Sequence, residues 1–158
     1  MGCQQVLKKT FGSYGLFNII AALRVVEKAF VMSKRQLFTI EFPVRCSPSI
    51  LYGFLSSPAG LQEWFADKVD EWEGVYSFTW NNEPPDKAEF IDSADDKFVR
   101  YRWLHYDKNE YFEFKIERTE ISNQTILTIT DFAEKSEIKD QTQLWDYQIK
   151  ELFHRLGS

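Results

Sequence analysis

Three side chains in the body of this sequence could supply catalytic or metal-binding chemistry, but their spacing favours neither. His105 ends a predicted strand two positions before Asp107, and zinc needs more converging ligands than this common pair offers. His154 lies in the last turn of a predicted helix, where a cation stabilises the helix dipole. Cys46 follows a strand with no evident base to activate its thiol, so we expect burial. The sequence therefore predicts no metal site and no catalytic residue.

Sequence motifs of the familiar enzyme classes are also missing. The chain has no G-x-S-x-G nucleophile motif, no P-loop and no dinucleotide-binding fingerprint, so no cofactor is predicted. A cyclase or hydrolase that works by shape and water exclusion would still need a polar group inside a cavity. Arg102 and Glu113 are polar candidates, but the alternation of a strand places them opposite the aromatic rings, towards solvent. The sequence favours a non-catalytic protein over an enzyme and leaves the question open.

Aromatic residues are the strongest chemical signal, with 14 Phe, 7 Tyr and 5 Trp making up 16% of the chain. Large apolar walls with a few polar groups are typical of small-molecule sites. The same rings could instead interlock as a filled core, since close packing is usual in protein interiors. Both alternatives stay open. The candidates for the walls of a ligand cavity are Trp64, Phe65, Tyr76, Phe78, Trp80, Tyr101, Trp103, Phe112, Phe114, Trp145, Ile149 and Phe153.

Charge and cysteine content exclude some classes of protein. The net charge is −5, and residues 32–158 alone carry −8 without any basic stripe, so nucleic-acid binding is not expected. An acidic body favours basic or neutral partners. The two cysteines form no disulfide framework, which fits a reducing compartment, and we expect a cytoplasmic protein.

The first 31 residues differ from the rest in carrying a net charge of +3. Their apolar run, Leu16 to Leu23, is too short to span a bilayer, and no cleavage site of a signal peptide follows it. We interpret Met32 as the natural start and residues 1–31 as a non-native or mis-called extension of the domain formed by 32–158. The alternative is a short amphipathic helix that docks on a membrane or a partner.

The body begins with a strand and two short helices. Residues 36–45 alternate apolar and polar side chains, as a half-buried strand does. Ser47-Pro48 and Ser57-Pro58 each place a capping serine before a proline at the first helical position. Two short helices are therefore predicted after the first strand.

The remainder predicts antiparallel strands and a terminal helix. An edge strand over 67–73 precedes strands near 76–80, 88–92, 98–105, 111–117 and 125–130, and the short connections imply antiparallel neighbours. Residues 144–158 show a helical stripe containing Trp145, Ile149 and Leu152. This order predicts an α+β fold, in which the terminal helix covers the aromatic face of a curved sheet of about six or seven strands.

The sequence resembles the helix-grip fold of the START-like superfamily (SRPBCC), and within it Aha1-type domains and small bacterial START-like proteins. The resemblance covers nearly all of 33–158. It rests on GLQEWFADKVD (60–70) with its Trp64-Phe65 pair, on the strand ending at Trp80, on Arg100-Tyr101-Arg102-Trp103, and on the terminal LWDYQIKELFHRLGS.

The resemblance implies a fold more firmly than an activity, because the superfamily includes carriers of hydrophobic ligands, cyclases and chaperone-associated domains. It supplies no universal catalytic residue. The sequence favours a module that binds a small hydrophobic or aromatic ligand between the sheet and the terminal helix. The alternative is a chaperone-associated interaction domain that presents Asp67 to Glu73, including Trp72, to a basic partner.

Overall fold

A computed structural model describes residues 35–157, which form one antiparallel sheet with three helices. The predicted boundary at Met32 and the interpretation of residues 1–31 lie outside the described residues and stay predictions. In chain order the elements are β1 (Gln36–Val44), α1 (Pro48–Ser56), α2 (Pro58–Gln62), β2 (Lys68–Trp72), β3 (Val75–Thr79), β4 (Asp86–Ala94), β5 (Phe98–Trp103), β6 (Phe112–Arg118), β7 (Thr125–Ala133) and α3 (Ile138–Leu156). This confirms the predicted α+β helix-grip architecture.

The seven strands are ordered β1-β7-β6-β5-β4-β3-β2 across the sheet. Strands β2 to β7 are therefore a meander of neighbours, while β1 pairs with β7 after the two short helices. The β2–β3 hairpin turns at Glu73 and Gly74, both with positive φ, as the tightest hairpin turns require. Strand β2 lies at one edge of the sheet, as predicted.

Helices α1 and α2 begin at the two Ser-Pro pairs. The hydroxyl oxygens of Ser47 and Ser57 accept hydrogen bonds from the backbone N–H groups of Ile50 and Gly60. The helices approach each other so closely that a Cβ atom at Gly60 would lie 2.2 Å from the carbonyl oxygen of Gly53. Only glycine fits at position 60, which fixes the corner between the two helices.

The segment after α2 carries the central side chain of the core, Phe65. Its ring stacks on Trp145 of α3 and meets Phe78 of β3 edge-on, with centroid distances of 5.9 and 5.1 Å. It also lies within 6.5 Å of the ring centroids of Trp64, Trp80, Trp103, Phe112 and Phe114. Phe65 therefore joins the inner face of the sheet to the helix that covers it.

Helix α3 lies over this face with Trp145, Ile149 and Leu152 buried, and it ends at Gly157 in the left-handed conformation. It begins at Ile138, six residues before the predicted start at Leu144. The first turns are mostly polar and half-buried or exposed, so the apolar periodicity that predicts a buried helix face does not extend to them. Strand β7 also continues to Ala133, three residues beyond its predicted end.

We expect Gly60→Ala to destabilise the protein, because the added methyl group would overlap backbone atoms of α1. Gly53→Ala is the matched control. Its Cβ meets open space in the middle of α1, so higher helix propensity should leave stability equal or raise it by up to about 1 kcal/mol. Urea unfolding of both variants measures the difference. Equal stability of the two variants would contradict the close approach.

Phe65→Ala should lower the free energy of unfolding by about 3–5 kcal/mol, because it leaves a cavity among the aromatic rings. Trp72→Ala removes a larger side chain that is 77% exposed and should change stability by less than about 0.5 kcal/mol. Chemical denaturation followed by far-UV circular dichroism compares the two. A small loss for Phe65→Ala would mean that the aromatic core is not closely packed.

Candidate functional site

An open groove of about 790 Å³ runs between α3 and the segment Gln62 to Asp67. Its apolar wall includes the indole rings of Trp80, Trp103 and Trp145. From α3, Tyr147 and Gln148 complete the wall on the solvent side. The volume falls in the range of small-molecule sites, roughly 300–1,000 Å³.

The twelve predicted cavity residues divide between this groove and the core beneath it. Those that line the groove are Trp64, Phe65, Trp80, Trp103 and Trp145. Those that pack in the buried core without lining the groove are Tyr76, Phe78, Tyr101, Phe112, Phe114 and Ile149. Phe153 is half-buried and meets Phe42 of β1 edge-on. The structure therefore contains both a filled aromatic core and an open groove that runs along it. A ligand role for these residues stays a prediction.

The groove is held by the hydrogen bonds of its tryptophans. The indole N–H of Trp80 donates to the carbonyl oxygen of Phe65 at 2.7 Å, and that of Trp64 donates to the carbonyl oxygen of Phe54 at 3.0 Å. Buried indoles need such partners. These bonds fix the segment after α2 against α1 and β3, so one wall of the groove is set by paired backbone groups.

Asp131 of β7 is the buried polar group of the groove, with 5% of its surface exposed. One carboxylate oxygen, Oδ2, accepts from Nε1 of Trp145 at 2.9 Å and from Nε2 of Gln141 at 3.3 Å. The other, Oδ1, accepts from the backbone N–H of Phe132 at 2.7 Å. Burial raises the pKa of Asp131 despite these hydrogen bonds and despite the nearby cation of Arg35, all of which act to lower it.

Arg35 itself is engaged elsewhere. Its Nε lies 2.8 Å from Oε2 of Glu110, its guanidinium lies over the ring of Tyr106, and it donates to the carbonyl oxygen of Phe132. Within residues 35–157, Asp131 has no cation within 4 Å. The hydrogen bonds to its carboxylate therefore come from neutral donors alone in this part of the chain, and Arg35 acts on it only from a longer distance.

The rim of the groove is acidic. Glu63, Asp67 and Glu151 line it, and Arg155 is the one basic lining residue among those the structure describes. Arg155 lies 3.9 Å from Glu63, and both side chains are at least half exposed. The charged groups of the groove therefore sum to a negative potential.

The polar candidates chosen from sequence lie elsewhere, on the outer face of the sheet. Glu113 accepts from Nε of Arg100 at 2.9 Å, and Arg102 pairs with Glu89. The prediction that Arg102 and Glu113 lie on the sheet face opposite the aromatic rings is confirmed. Their ion pairs are partly buried, however, and not fully in solvent. Strand alternation with Leu127 and Ile129 would have placed Asp131 inside, but the strand was predicted to end at Thr130, directly before it.

The other reactive side chains are unremarkable in their surroundings. His105 and His154 are exposed. Cys46 is half-buried, and burial raises the pKa of its thiol, which disfavours the nucleophilic thiolate. Across residues 35–157, no three potential metal-ligating side chains among His, Cys, Asp and Glu converge. None of the helices in this range has the length and apolar character needed to cross a membrane.

Comparison with known proteins identifies the class. The profile of the START-like superfamily domain matches residues 32–158. A Bacteroides fragilis protein solved by NMR is 31% identical, with 78% of this chain and 92% of that chain aligned and a TM-score of 0.58. The chain belongs to the START-like superfamily.

More distant solved structures share the fold alone. The Aha1 dimer from Colwellia psychrerythraea is 16% identical over 75% of this chain and 93% of its own, with a TM-score of 0.63. DynU16, from the dynemicin biosynthetic locus, is 15% identical over 77% of this chain and 47% of its own, with a TM-score of 0.64. No curated protein sequence matches the chain.

The raised pKa of Asp131 predicts how this carboxyl changes stability with pH. The folded state holds the proton more tightly than the unfolded chain, in which the pKa of aspartate is about 3.9. The contribution of Asp131 to the free energy of unfolding therefore falls as pH rises from that value through the raised pKa, and is constant above it.

Urea unfolding of the wild type and of Asp131→Asn between pH 3 and 8 measures this, because other groups cancel in the difference between them. Asp140→Asn, an exposed residue in the first turn of α3, is the control and should show no such fall. A wild-type advantage over Asp131→Asn that grows with pH would contradict the prediction.

Proposed function

We propose that this protein binds a small hydrophobic or aromatic molecule in the groove between the sheet and α3, without catalysing a reaction on it. The observation that carries the proposal is an open groove of about 790 Å³ that combines indole walls with one buried carboxyl group. Such a combination gives an apolar ligand both contact area and an orientation. Because Phe65 and its neighbours fill the space beneath, the ligand would lie along the groove and not in the centre of the core.

The proposal also includes the cellular compartment in which the protein acts. We infer a reducing, cytoplasmic setting from the sparse cysteines, and the half-buried thiol of Cys46 is free in the described chain.

The first experiment is native mass spectrometry of the full chain, purified without denaturation from its own or a related host. A stoichiometric small molecule in the spectrum, with its class established by solvent extraction, is the expected result. Binding of the neutral fluorophore N-phenyl-1-naphthylamine then tests the groove directly. An apo mass together with absent fluorophore binding would refute the proposal.

Filling the groove should weaken binding of this fluorophore. Gln148→Trp places a large ring on the groove side of α3 without removing any core contact, so we expect at least a tenfold loss of affinity with stability nearly unchanged. Gln143→Trp adds the same ring to an exposed position of the same helix outside the groove. Fluorescence titration compares the two, and equal affinities would place the fluorophore elsewhere.

A second function has one specific observation in its favour, the exposure of Trp72 on the edge strand β2. Its indole is 77% exposed, and Asp70, Glu71 and Glu73 surround it in sequence. This fits a contact for a basic protein partner. Partner capture that depends on Trp72 and not on Gln148 would favour this function over ligand binding.

A further inference from the structure

We propose that the ligand of the groove carries a cationic amine, whose ammonium group lies against Asp131 while its apolar part lies on the indole rings. This inference rests on the proposed ligand-binding function and specifies the chemical class of the ligand. It follows from three features of the groove: a buried carboxylate, electron-rich walls and an acidic rim.

The first feature is the incomplete hydrogen bonding of the buried Asp131 carboxylate. A carboxylate can accept about four hydrogen bonds, and Asp131 receives three, from Trp145, Gln141 and the backbone of Phe132. All three donors are neutral. Arg35 lowers the pKa of Asp131 from a distance but pairs directly with Glu110. A ligand cation that reaches the remaining acceptor position would therefore gain both a hydrogen bond and a direct charge partner.

The second feature is the wall. Trp80 and Trp103 are half-buried and line the same groove as the Asp131 carboxyl, whereas Trp145, which also lines it, is 3% exposed and stacks on Phe65. The face of an indole ring carries negative electrostatic potential and attracts ammonium groups. An anionic ligand would meet these faces unfavourably, and a neutral ligand would use them only as apolar surface.

The third feature is the rim. Glu63, Asp67 and Glu151 face a ligand on its way in, and Arg155, the basic residue there, already pairs with Glu63. The rim therefore attracts cations and repels anions before contact is made. Its groups are exposed and screened by salt, so the buried carboxyl of Asp131 carries the selectivity at physiological ionic strength.

Three probes with one ring system test the proposal: 1-naphthylmethylammonium, the neutral 1-naphthylmethanol and the anionic 1-naphthoate. Isothermal titration calorimetry on the full chain in 150 mM salt should show the ammonium binding at least tenfold more tightly than the alcohol, with the carboxylate weakest. In Asp131→Asn the ammonium should lose its advantage over the alcohol. In Asp140→Asn, which removes the same charge outside the groove, the advantage should persist.

Equal affinities of the ammonium and the alcohol in the wild type would overturn the inference while leaving the proposed function intact. Failure of all three probes and of N-phenyl-1-naphthylamine would instead refute the proposed function. If Asp131→Asn does not fold, the carboxyl ¹³C resonance of Asp131 in the wild type gives the answer. It should shift during titration with the ammonium, and an unchanged resonance would overturn the inference.

Discussion

The structure depends on covering one aromatic sheet face, and the stack of Phe65 on Trp145 is the contact that achieves it. The two rings lie 5.9 Å apart at an angle of 13°. One ring comes from the segment after α2 and the other from α3, so this stack joins both covering elements over the strands. Burial of such rings from water is the dominant favourable term in folding, and offset stacking adds to it.

The two elements that cover the sheet, α3 and the segment after α2, also form the groove. Where α3 and the segment Gln62 to Asp67 part, the half-buried indole rings of Trp80 and Trp103 border open space, while Trp145 stays buried. Three of the four tryptophans that line the groove use their N–H groups to hold it in shape. Trp64 donates to Phe54, Trp80 to Phe65 and Trp145 to Asp131. The hydrogen bond from Trp145 to Asp131 therefore has two effects. It orients α3 against the sheet, and it holds the carboxyl group at the groove.

Asp131 is unfavourable for stability but suited to the proposed function. Asp131 has no ion-pair partner within 4 Å among the described residues, and burial of its carboxylate is unfavourable for folding, so burial raises its pKa. Buried polar groups of this kind are candidates for functional sites, because an apolar residue would pack more favourably there. The aromatic core around it follows the usual rules of close packing and needs no ligand to explain it.

The sequence by itself determined the order of the elements, since strand alternation, the two Ser-Pro caps and the helical stripe of Trp145, Ile149 and Leu152 are local patterns. It also determined which rings face inward. Local patterns could not show that Phe65 fills the centre while Trp80 and Trp103 border open space. That division depends on where α3 begins and where it parts from the segment after α2, and both are set by packing between residues distant in the chain. Asp131 was missed for another reason, because the strand was predicted to end at Thr130 and its alternation was not extended. The burial of this carboxyl group and its hydrogen bond to Trp145 depend on α3, which only the tertiary structure puts in place.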